Sequence, residues 1–139
     1  MTTTAYETRT QSTSATAYLP VLGRLMIAAI FLLSGVGKIF APGPTQAYIA
    51  AAGLPLPFVA YAIALLAEVG GGALLVLGYH TRAVALALAV FTLATAFGFH
   101  HNFADQNQMI HFMKNLAIAG GLLQIVAFGA GRFSLDARG

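Results

Sequence analysis

The sequence predicts an all-α fold, a polytopic membrane four-helix bundle with both the N- and the C-terminus in the cytoplasm. Three observations predict it. Four long apolar runs, Leu19–Phe40, Phe58–Tyr79, Ala83–Phe99 and Met109–Phe128, fill most of the 139 residues. A helix rises about 1.5 Å per residue, so about 20 residues cross a hydrocarbon core of about 30 Å, with about 17 as the lower limit. All four runs reach that limit. The composition agrees: 58% of residues are hydrophobic and 8% charged, where a soluble domain carries about 25% charged residues. The third observation is the placement of the basic residues. With four spans, the termini and the middle connector share a side, which collects Arg9, Arg24, Arg82, Arg132 and Arg138, against Lys38 and Lys114 on the other. Basic residues concentrate on the cytoplasmic side.

Each element follows in order. Residues 1–17 are Thr/Ser-rich without apolar periodicity and are expected to form a disordered cytoplasmic tail, leaving residues 18–139 as a single domain. The segment lacks a basic n-region, and the first apolar run is longer than the 7–15 residues of a signal-peptide core, so that run reads as an uncleaved anchor. The first connector carries Pro42, Pro44, Pro55 and Pro57, which break the helix at both ends and leave Thr45–Ala52 as a short interfacial helix. Gly78–Arg82 is a tight turn, making spans two and three an antiparallel hairpin. The connector Phe99–Gln108 is the most polar, with His100, His101, Asn102 and Asp105. Small residues inside the runs (Ser34, Gly35 and Gly37; Gly70, Gly71 and Gly72; Gly120 and Gly121) mark close helix contacts, the usual packing device in lipid.

Composition also excludes functions. With no cysteine, disulfides, thiol relays and Cys-ligated zinc or iron–sulfur clusters are ruled out. The net charge of +3 comes from scattered single residues, so nucleic acid is not an expected partner, whereas the lipid bilayer is. No nucleophile elbow, Walker loop or dinucleotide fingerprint is present.

The charged residues that remain are few. Glu68 lies near the midplane of span two, where an ionised carboxylate needs a partner and commonly marks a ligand or proton pathway. Depth arithmetic at 1.5 Å per residue puts Arg24 about 9 Å to one side of it and Lys38 about 12 Å to the other, with Lys114 and Asn115 within about 7 Å. Arg24, Lys114 and Asn115 are therefore the expected contacts, while Lys38 is free to snorkel outward. Glu68 is the candidate catalytic residue, and Arg24, Lys38, Lys114 and Asn115 are candidates for binding a substrate or quinone. His100, His101 and His111 match no standard metal spacing, so no metal site is assigned and they stand only as weak candidates. The polar residues gather in one half of the bundle among Phe97, Phe99, Phe103 and Phe112, a composition suited to a small-molecule pocket.

A family resemblance runs through these same residues. Gly23-Arg24, Ser34-Gly35-Val36-Gly37-Lys38, Gly53-Leu54-Pro55, Glu68 with Gly71-Gly72, Leu77-Gly78, Thr81-Arg82, Lys114-Asn115, Gly120-Gly121 and Gly131-Arg132-Phe133-Ser134-Leu135-Asp136 follow in an order that resembles the DoxX family over about residues 19–136. The resemblance implies a multi-pass protein of the bacterial inner membrane. It further implies a subunit of a quinone-linked oxidoreductase or redox-stress complex, with quinone as ligand and a soluble or membrane redox protein as partner. The matching polar positions are Arg24, Lys38, Glu68, Lys114 and Asn115; the histidines lie outside the pattern. Two alternatives stay open: a non-catalytic scaffold recruiting a soluble redox enzyme, and a small-molecule transporter, for which four spans imply a homodimer.

Overall fold

The computed structural model describes residues 14–139, and among these there is no strand. Among the described residues there are five helices: α1 Ser14–Phe40, α2 Pro42–Ala51, α3 Pro57–Leu77, α4 Thr81–Phe99 and α5 Gln106–Phe128. Helices α1, α3, α4 and α5 are each long and apolar enough to cross a membrane. Of the expected tail, residues 1–13 lie outside the described residues, and α1 has already begun at Ser14.

The breaks between helices have local causes. Pro42 and Pro57 each stand in a first helical turn, where a missing N–H is no loss. This is why α2 starts at Pro42 rather than at the expected Thr45. Helix α3 ends at Gly78, whose φ of +66° belongs to the left-handed C-terminal turn that glycine adopts without strain. Helix α5 starts on Asp105, whose carboxylate accepts the N–H groups of Asn107 at 2.8 Å and Gln108 at 3.1 Å. A cap of this kind contributes about 1 kcal/mol.

The core is thin, as membrane packing requires: Ala28, Phe31, Leu75, Ala85, Leu88, Ala89 and Leu122. Leu33 and Leu66 are 75% and 76% exposed, so these faces of α1 and α3 are surfaces for lipid, and burial from water cannot be what presses the helices together. Close approach does so instead. A Cβ on Gly35 would lie 2.6 Å from Val69 Cγ2, one on Gly71 2.9 Å from Leu88 Cδ2, and one on Gly72 3.0 Å from Leu32 Cδ2. Gly37 and Gly120 have nothing within 4 Å, so the expectation of helix contact fails there.

The start of α1, the α3–α4 turn and the C-terminal segment share one end of the bundle. Leu135 N–H donates to the Leu77 carbonyl at 3.1 Å, Asp136 N–H donates to the Gly78 carbonyl at 2.9 Å, and Tyr18 stacks on Phe133 at 4.7 Å. Helix α2 and the α4–α5 connector form the opposite end, called below the loop end.

Candidate functional site

Glu68 lies in the middle of α3 on a π-helical turn, Leu66–Gly71. Such single turns inside α-helices are frequent at functional sites. The side chain is buried, 6% exposed, and its partner is Lys38. The Lys38 ammonium donates to both Glu68 oxygens at 2.9 Å and to Ser34 Oγ at 2.8 Å. The Ser34 hydroxyl in turn donates to Glu68 Oε1 at 3.3 Å. The Tyr61 hydroxyl donates to the Lys38 carbonyl at 3.0 Å and ties α3 to the end of α1.

The expected contacts of Glu68 are therefore corrected, and helix geometry supplies the reason. A side chain leans towards the N-terminus of its own helix. Helices α1 and α3 run antiparallel, so Lys38 leans down from the loop end while Glu68 leans up towards it, and the two converge. Arg24 leans in the same direction as Lys38 but starts below Glu68, so it points away from it. It is 2% exposed and donates to the carbonyls of Ala130 at 2.8 Å, Phe133 at 3.0 Å and Val76 at 3.4 Å. It clasps the C-terminal segment and takes no part in the Glu68 site. Lys114 leans towards the start of α5, where its ammonium meets His111 Nδ1 at 3.1 Å.

Beside the Lys38–Glu68 pair lies a cavity of about 470 Å³ in the loop-end half of the bundle. Phe31, Ile63, Phe91 and Ile118 supply apolar wall, and α2 closes it with Thr45, Tyr48 and Ile49. Tyr48 stacks on Phe99 at 5.3 Å, joining α2 to the end of α4. The polar lining includes Lys38, Glu68, Lys114, Asn115, His100 and Ser34, with the α4 threonines Thr92 and Thr95. Both threonine hydroxyls are already committed to helix carbonyls, at 2.7 and 2.9 Å.

The charge balance is uneven. Lys38 and Glu68 form the sole ion pair among the described residues, so Lys114 has no acidic partner and leaves the cavity positive. His100 stacks on His111 with centroids 5.1 Å apart. Burial, reinforced by the nearby His111 and Lys114, pushes the His100 pKa below the ordinary histidine value of 6.5. Neutral imidazole is thus favoured at the cavity rim. An ammonium, a primary amide and apolar walls together suit a largely apolar ligand bearing a carbonyl or anionic oxygen.

The structure brings Lys38, Glu68, Lys114, Asn115 and His100 onto one cavity. His101 lies outside it, with Nδ1 3.0 Å from the Phe97 carbonyl. Among the described residues, no three His, Cys, Asp or Glu side chains gather as a metal site would require. Sequence reasoning missed Ser34, Thr45 and Tyr48. Ser34 was findable, since it stands four residues before Lys38 on the same helix face.

Comparison with known proteins places the chain among relatives. The family model described as DoxX matches residues 19–101. The chain is similar to inner membrane protein YqjF of Escherichia coli K12, 42% identical over 119 residues, spanning 84% of this chain and 88% of that protein. It is similar also to inner membrane protein YphA of the same organism, 36% identical over 130 residues, spanning 90% and 93%. No solved structure matches.

Proposed function

We propose, from the premise that the chain belongs to the DoxX family of integral inner-membrane proteins, that its loop-end cavity binds a quinone and that the protein serves a membrane oxidoreductase as its quinone-binding subunit. The observation that carries this reading is one apolar cavity lined by Lys114 and Asn115, in which the lining carboxylate, Glu68, is buried and already paired with Lys38 rather than with Lys114. The donor set fits: Lys114 Nζ and the Asn115 amide would donate to a quinone carbonyl, while Phe31, Phe91 and Ile118 would hold the ring and exclude water.

A bound quinone supplies two-electron, two-proton redox chemistry, with the electrons delivered through a partner subunit. Glu68 is the proton-carrying group of this reading. Its carboxyl group is bonded to the Lys38 ammonium and would exchange a proton with the ligand when that ammonium turns towards the ligand. The arginine-rich end, with Arg24, Arg82, Arg132 and Arg138, is proposed to be cytoplasmic, which places the quinone cavity in the outer half of the membrane.

One observation favours a second reading. Lys38, Ser34 and Glu68 satisfy one another completely, as an internal brace in a scaffold protein would. Extraction separates the two. Wild-type protein purified in mild detergent should carry quinone detectable by chromatography, and Ala64→Phe, which fills the cavity from α3, should carry almost none. Equal and negligible quinone in both would favour the scaffold.

A further inference from the structure

A second cavity, of about 520 Å³, lies at the opposite end of the bundle, between the start of α4 and the C-terminal segment. One wall is His80–Ala83 and the other comes from Gly129–Gly131, Ser134 and Asp136. It sits at the ends of α4 and α5, hence at headgroup level when the apolar spans occupy the hydrocarbon. None of the residues assigned to the quinone cavity takes part.

The cavity is built by a fold-back. At Gly131 a positive φ of 81° and a Cβ position 2.8 Å from Pro20 leave room only for glycine. The Ser134 hydroxyl donates to the Gly131 carbonyl at 2.7 Å and holds the bend. Asp136 then reaches the first turn of α4, where its carboxylate accepts the N–H groups of His80 at 2.7 Å and Thr81 at 2.8 Å. The adjacent Thr81 hydroxyl, more than those N–H groups, holds the Asp136 carboxyl below the usual aspartate range. Thr81 is fully buried, and its hydroxyl completes no well-formed hydrogen bond among the described residues.

Two opposite charges line the cavity without pairing. Arg82 runs along the backbone of Gly129, where a Cβ would lie 3.4 Å from its Nε, and it has no carboxylate within ion-pair range among the described residues. The first-turn N–H groups of Arg82 and Ala83 have no carbonyl to bond within their own helix. Asp136 spends one acceptor direction of each oxygen on the backbone, and each keeps a second. A simple anion would meet the Asp136 carboxylate, and a simple cation would meet Arg82. A zwitterion with a phosphate and an ammonium satisfies both.

We propose that this cavity binds phosphoethanolamine as the headgroup of a membrane phospholipid, with the phosphate on Arg82 and the first turn of α4 and the ammonium on Asp136. A guanidinium suits a phosphate because its fork of donors is planar and matches two oxygens. The exposed apolar faces of α4 and α5, including Leu86, Val90 and Leu123, offer the acyl chains a continuous path into the bilayer.

Delipidated protein in detergent provides the test, with binding read by native mass spectrometry and by the shift in melting temperature. Phosphatidylethanolamine should bind about tenfold more tightly than phosphatidylcholine of the same chains, because methylation keeps the charge and removes the N–H donors to Asp136. Phosphatidylglycerol, which lacks an ammonium, should bind no better than phosphatidylcholine. Arg82→Gln alters an exposed side chain and should abolish the preference, and Ala83→Trp, which fills the cavity without touching either charge, should do the same. Equal binding of the three lipids, or a preference that survives both substitutions, would overturn the proposal. Soluble phosphoethanolamine separates the sources: affinity equal to that of the lipid would overturn the membrane assignment. Inorganic phosphate binding as tightly as phosphoethanolamine would overturn the role given to Asp136.

Discussion

Lys38 and Glu68 carry opposite charges and bond one another and the Ser34 hydroxyl, so removing either leaves the other exposed to the cost of an unpaired charge in low dielectric. Lys38→Met is expected to destabilise the protein by about 3 kcal/mol, the low end for a buried pair because Lys38 is partly exposed; a denaturation midpoint measures it. The double variant Lys38→Met with Glu68→Leu should recover most of that loss, since no charge is then stranded. His100 gives a pH dependence. Its lowered pKa means that the unfolded chain takes up a proton before the folded one does as pH falls. Stability should therefore be unaffected above the ordinary value of about 6.5 and decline as pH drops from there towards the folded pKa. His100→Phe should flatten the decline in melting temperature over that window. At this scale the residue types were legible and the pairings were not. Depth along the membrane ranked Arg24 above Lys38 as a partner, because rise per residue ignores the lean of side chains towards the helix N-terminus. That lean sends Arg24 to the carbonyls of Ala130, Phe133 and Val76 instead.

Among the elements, α3 carries the most information. Its π-helical turn sets Glu68 inward directly opposite Gly35, whose Cβ would lie 3.1 Å from Glu68 Cβ and 2.6 Å from Val69 Cγ2. Gly35→Ala should accordingly push α1 from α3, destabilise the bundle by about 1–3 kcal/mol and loosen the Lys38–Glu68 pair. Gly120→Ala, in open space on α5, should be neutral or stabilising by up to about 1 kcal/mol, the difference in helix propensity. Thermal unfolding of the two variants side by side checks the contrast. The spans were legible from length and hydropathy, and the helix breaks from Pro42, Pro57 and Gly78. The π-helical turn was not, because one extra residue in a helical turn leaves no mark in an apolar sequence such as Leu66–Gly71. The role of α2 as a cavity wall was hidden for a related reason. Its Thr45, Tyr48 and Ile49 read alone as an interfacial helix, and only the fold puts Tyr48 on Phe99.

For the whole molecule, the four spans put the chain's described ends together, and the arginine bias is the ground on which those ends are proposed to be cytoplasmic. Cysteines introduced at Ala104 and Ala137, both exposed, should differ in intact cells: an impermeant thiol reagent is expected to label position 104 and spare 137. The reverse pattern would invert the proposed orientation. The gathering of polar residues in one half of the bundle was visible in the sequence, and the structure turns it into a cavity holding Lys38, Glu68, Lys114, Asn115 and His100. What that cavity binds is the central claim, and ligand-induced stabilisation by a short-chain quinone tests it most directly. Wild-type protein should show a saturable rise in melting temperature. Lys114→Met, which keeps the stem and deletes the charge, should lose most of it, and Glu68→Gln should stay folded while its response changes. A full quinone response in both well-folded variants, or none in the wild type, would contradict the account.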